Sequence, residues 1–131
     1  MSNLIRGFKQ QESGQALVEF ALVLPFFILL FFGLIEMSII GYSYISVNNA
    51  ARTGVRVASL GGDDVAIRKA ITDSMILNQS AMTIQISPPK SDRQPGQGVT
   101  VNISYPLIVP IVEGIFPDPF IINASLSMRL E

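Results

Sequence analysis

The sequence predicts an α+β protein, with a long N-terminal transmembrane helix extending into a small domain that holds a second helix and a three- to four-stranded antiparallel sheet. Three observations predict it. Phe20 to Ile35 carries no charge. Small and apolar residues then keep a helical spacing as far as Ala58. Beyond Ala81 the apolar period switches from helical to two, in three separate runs.

Residues 1–14 are polar, ending Gln10-Gln11-Glu12-Ser13-Gly14, and are expected to form an unstructured leader. The transmembrane helix is placed at 15–42, with Gln15 to Ile35 as its spanning part. Twenty-one residues make about 31 Å of helix at 1.5 Å each, against a hydrocarbon core of roughly 30 Å. A chain this small cannot wrap a helix that is apolar on all faces, which argues against a buried core helix. The run also exceeds the usual secretory h-region, and no A-x-A-like site follows it. Pro25 removes one backbone hydrogen bond and is expected to kink or loosen the helix there; membrane helices tolerate this. Charge counting leaves orientation open, because Arg6 and Lys9 precede the span and Arg52 and Arg56 follow it.

The domain is placed at 43–131. Val47, Ala51, Gly54 and Ala58 form a narrow stripe of small residues along one helical face, fit for close packing of another element. Gly61-Gly62 should stop the helix, since glycine adopts the left-handed cap conformation cheaply. Asp63 or Asp64 then caps a second helix expected to end near Asn78, with its acidic residues at the positive end of the dipole. Residues 82–86, 99–105 and 124–130 alternate apolar with polar, which predicts a sheet with one buried and one wet face. Residues 88–97 read as a loop. In 106–120 the prolines at 106, 110, 117 and 119 argue against a central strand. That segment is nevertheless apolar, and is expected to hold about one helical turn. It packs either on its own domain or against a partner subunit or the membrane interface.

Composition excludes several functions. The chain has 131 residues, no cysteine, no histidine and a net charge of −1. Disulfides, thiolate nucleophiles and the commonest zinc and haem ligands are therefore absent. No cofactor or metal is expected, and no nucleic-acid partner. Without a nucleophile–base arrangement, no enzyme activity is expected. Asp63 and Asp64 read as a helix start, not as a metal or acid–base pair. Gly96-Gln97-Gly98 has no helix start behind it and is not a phosphate loop. The three Asn-x-Ser matches at Asn78, Asn102 and Asn123 read as incidental.

Glu19 stands inside the apolar segment. A carboxylate costs roughly 2.5–3.5 kcal/mol at the centre of a membrane helix and less near an end. Gly14 lies five residues before it. The stretch Gly14-Gln15-Ala16-Leu17-Val18-Glu19-Phe20 resembles the processing site of type IV-pilin-like proteins, in which a prepilin peptidase cuts after the glycine. Extended to Pro25, and with Asn49-Ala50-Ala51-Arg52-Thr53-Gly54-Val55-Arg56-Val57-Ala58, the chain resembles TadE-like minor pilins, the pseudopilins of tight-adherence (Flp-type) pilus systems. The resemblance covers the first 60 residues well and the rest loosely.

The resemblance implies a structural assembly factor of such a pilus, cut between Gly14 and Gln15. It implies an N-terminus in the cytoplasm, a single pass through the bacterial inner membrane and an extracytoplasmic domain. The implied partners are the membrane, the prepilin peptidase, other pilin-like subunits and the pilus assembly platform. Glu19 would pair with the new terminus of a neighbouring subunit. An unpaired carboxylate is costly in low dielectric and a paired one much less so, so the pairing would act mainly on register. Arg52 and Arg56 share one helical face, and either contact a partner or lipid headgroups or form a solvated basic face. The alternative from a different class is an uncleaved single-span envelope protein with an extracytoplasmic ligand- or partner-binding domain.

Overall fold

Six elements and one short 3₁₀ turn follow one another along the chain: α1 (Ser2–Ser59), α2 (Asp64–Ser74), β1 (Thr83–Ser87), the turn Lys90–Asp92, β2 (Gly98–Leu107), α3 (Pro110–Ile115) and β3 (Phe120–Arg129). The computed structural model describes residues 2–115 and 117–131, with the backbone alone at 2–13, 112 and 115. The side chains of Arg6, Lys9, Val112 and Ile115, and the whole of Phe116, lie outside the described residues. Two compact units divide the chain, 1–37 and 38–131.

In the first unit α1 begins at Ser2, upstream of the Gln15 start that hydropathy predicts. Lys9-Gln10-Gln11-Glu12, just before the apolar run, are all good helix formers. Extending a helix already nucleated costs little. Pro25 lies inside α1, which remains one assigned helix across it. From Leu17 to Ile35 the large apolar side chains are exposed on every side, Phe26 at 73% and Leu22 at 67%. None of the most apolar stretch of this helix is buried. Such a helix is long and apolar enough to cross a membrane.

The second unit is built on the last turns of α1. Val47, Ala50, Ala51, Val55 and Ala58 are all but fully buried there. The element that the small stripe admits is α2. A Cβ built on Gly54 would stand 2.6 Å from Cγ1 and 2.7 Å from Cδ1 of Ile71. Glycine is thus what lets the two helices meet at this point.

The stop is a Schellman arrangement: Gly61 donates to the Ala58 carbonyl at 3.0 Å, and Gly62 to that of Val57 at 3.0 Å. Gly61 has φ +81°, a conformation few other residues adopt cheaply. Asp63 is the N-cap of α2, its carboxylate accepting from the Ala66 N–H at 2.7 Å. The helix ends at Ser74, one turn short of the expected Asn78. Met75 turns extended into the core, and the Gln79 side-chain amide donates to the Thr72 carbonyl at 2.6 Å. The Met75 N–H donates to the same carbonyl at 3.2 Å, so together they satisfy a carbonyl which a further helical turn would have used.

The sheet has three strands in the order β1-β2-β3, antiparallel throughout. Val99, Val101, Ile103, Tyr105 and Leu107 of β2 and Ile122 and Ala124 of β3 are buried, in one cluster with Val47, Val55, Ile67 and Ile71. The other face carries Thr83, Ser104 and Asn123 in one row and Gln85, Asn102 and Ser125 in the next.

Two expectations for 106–120 are corrected. Pro106 is a strand residue, within the middle strand of the sheet. β1 pairs with β2 only at Thr100 to Ser104, whereas β3 pairs with it from Gly98 to Leu107. Pro106 therefore has a strand on one side only, where a missing N–H breaks no second ladder. Phe120 likewise opens β3, four residues before the alternating run is legible. Between them Pro110 sits at the first position of α3, where its lack of an N–H does no harm. Leu107 and Val109 pack inward, while Ile108 and Ile121 stand exposed at 64% and 55%.

Candidate functional site

Gly14 has open space around the position of a Cβ, with no heavy atom within 4 Å. One turn on, the Gln15 side-chain amide donates to Glu19 Oε1 at 3.1 Å, and both residues are exposed. The carboxylate thus has a local donor in the uncut chain, on the residue that a cut after Gly14 would make the terminus. These residues meet because i and i+4 share a helical face.

Arg52 and Arg56 lie on the exposed side of α1 in the second unit, and the fold brings the end of β3, Arg129 included, beside them. Arg52, Arg56, Ser59 and Leu60 of the helix end line a cleft of about 570 Å³ together with Met128, Arg129 and Glu131. No carboxylate lies within salt-bridge distance of any of the three guanidinium groups among the described residues. The chain after β3 reaches the helix end through one backbone bond, Glu131 N–H donating to the Ser59 carbonyl at 3.1 Å, while Leu130 N–H donates to the Gln97 carbonyl just before β2 at 2.8 Å. What the sequence does not show is that the end of β3 reaches the helix end, because 73 residues separate Arg129 from Arg56; the Arg129 side chain stays on the wet face, its guanidinium over Gly96.

Arg93 is missed for a similar reason, standing in a loop by composition. Its side chain is 5% exposed and forms an ion pair with Asp64. Its guanidinium also donates to the carbonyls of Gly62 and Pro88, each at 3.0 Å. One arginine thus ties the β1–β2 connection to the start of α2. Asp63 and Asp64 are accounted for as cap and ion-pair partner. Lys69 and Asp73 form an exposed pair at 2.9 Å. The hydrogen bond to Asp73, and then its charge, raise the Lys69 pKa above its ordinary value.

A second cleft, of about 180 Å³, is lined by Leu107, Ile108, Val109, Glu113, Pro117, Asp118, Pro119 and Phe120. Its charged members are both acidic. Neither cleft holds a nucleophile beside a base, and among the described residues no cluster of metal-ligating side chains occurs.

A single exposed apolar helix joined to a small α+β unit fits a single-pass membrane protein. The family comparison is narrower: residues 14–56 match the family model for TadE-like protein, a structural, pilin-like family of tight-adherence pilus systems. The matched segment runs from the glycine before the apolar helix to the second arginine after it. Neither the curated proteins nor the solved structures provide a match.

Proposed function

We propose that this chain is a minor pilin, or pseudopilin, that acts as a structural assembly factor of a tight-adherence (Flp-type) pilus. In this reading prepilin peptidase cuts after Gly14. Gln15 to Ile35 then holds the chain in the inner membrane, and the unit from Ser43 onward works outside it. The observation that carries the reading is the TadE-like match over 14–56, which includes Gly14, Gln15 and Glu19 at the processing spacing. The bare apolar surface of α1 supports it, since such a surface needs lipid or the helices of other subunits.

Glu19 acts here on register. The cut turns Gln15 into an ammonium, and a neighbouring subunit displaced along the helix would leave two charges unmatched in a medium where that is costly. The Gln15 side chain that bonds Glu19 is a neutral donor and the weaker partner.

Intact mass of the membrane-extracted protein tests the reading, with Gly14→Leu alongside, in a host with active prepilin peptidase. The parent is expected to lose residues 1–14 and the variant to keep them. A parent chain that stays full length would overturn pilin-type processing and leave the uncleaved envelope protein as the better account.

A further inference from the structure

The second unit carries opposite charge at its two ends. β3 begins beside the acidic cleft and ends in the basic one: Asp118 and Phe120 lie at one end, Met128 and Arg129 at the other. Nine strand steps of about 3.4 Å put roughly 31 Å between them, so the ends of one copy cannot meet. The basic cleft offers the guanidinium groups of Arg52 and Arg56 against one side-chain carboxylate, Glu131, with Leu60 and Met128 exposed beside them at 68% and 42%. The acidic end offers Glu113 and Asp118 with no lysine or arginine in its lining, and exposes Ile108, Phe120 and Ile121. Each end therefore pairs unmet charge of one sign with unmet apolar surface.

We infer that the cleft of Arg52 and Arg56 docks the end of a second copy of this chain that carries Ile108, Glu113, Asp118 and Phe120, head to tail. The charges are complementary, and both ends have apolar side chains to bury beside them. Two different surfaces meet, so the contact does not close on itself and repeats from copy to copy. A lipid surface is the poorer occupant for the arginines. Seventeen residues of α1, about 26 Å of helix, separate Ile35, the last residue of the expected span, from Arg52, whereas the headgroup layer is about 5–8 Å deep. The inference deepens the assembly role and rests on that reading for its purpose, though not for its chemistry.

The chain has no cysteine, so single-cysteine variants report the contact without background. Full-length M128C and I108C chains, tagged to differ in size, are expressed singly and together in membranes and then oxidised. A disulfide-linked dimer is expected only on co-expression, one copy of each kind in every dimer. Adding Arg52→Glu and Arg56→Glu to the M128C chain should lower its yield about tenfold or more. Glu113→Arg and Asp118→Arg in the I108C chain should then restore it. Equal dimer from either variant alone, a yield indifferent to charge reversal, or adducts only with a different protein would each overturn the inference. Intact mass on the same samples separates the two claims. Cut chains without the mixed dimer overturn the contact alone, and uncut chains with it overturn the processing alone.

Discussion

The two stretches of α1 obey different physics. Between Leu17 and Ile35 the side chains are large, apolar and exposed on all sides. Between Val47 and Ala58 the inward side chains are small and buried, down to a glycine where α2 meets the helix. Bulk serves a helix whose solvent is lipid, where every face meets the same medium. Small residues serve a helix that must come close to a neighbour, where shape on one face decides. The difference lies in the side chains: the first stretch is long and apolar enough to cross a membrane, and the second is a core element of the 38–131 unit.

That contrast predicts unequal responses to the same kind of truncation. Ile71→Ala opens the core at the Gly54 contact and should destabilise the 38–131 unit by about 2–5 kcal/mol. Leu29→Ala, in the exposed stretch, should leave thermal unfolding of that unit unchanged in detergent. Equal losses from the two would erase the distinction. Circular dichroism melts of the full chain read both.

Arg93→Ala sharpens the contrast by asking how much of the second unit depends on a polar tie. It removes the partner of Asp64 and strips the carbonyls of Gly62 and Pro88 of a donor. A loss of about 2–3 kcal/mol is expected, below the full cost of breaking a buried pair because Asp64 is 40% exposed. Denaturant midpoints measure it, and an unchanged midpoint would mean the loop holds without its arginine.

The smallest effect belongs to Lys69 and Asp73. The raised Lys69 pKa means that the pair contributes below the ordinary lysine pKa. The contribution is lost as pH rises through the raised value. Asp73→Asn should therefore flatten the stability profile only on its alkaline side, and slightly, since both side chains are well exposed. A loss that persists equally at high pH would point to something other than this charge pair.

Much of the site was legible in one dimension. Gly14, Gln15 and Glu19 lie within one helical turn or so, and Arg52 and Arg56 four residues apart, so spacing alone places each set together. The meeting of the β3 end with the end of α1, and the ties of Arg93, were not legible, because a strand register and a loop path bring them about. The caps were readable, as Gly61 and Asp63 act on their immediate neighbours. The end of α2 was not, since it depends on Gln79 reaching back seven residues to Thr72.

The sequence by itself determined the membrane-length helix, its stop, the second helix and the alternating strands, because each follows from local periodicity and neighbouring residues. Only the tertiary structure decided that Pro106 belongs to a strand and that the small stripe receives α2. It alone brought the end of β3 to the helix end that carries Arg52 and Arg56, and set an acidic end opposite that basic cleft. Each of these depends on which residues distant in the chain become neighbours. The pairing register and the core settle that together, and no local pattern carries it.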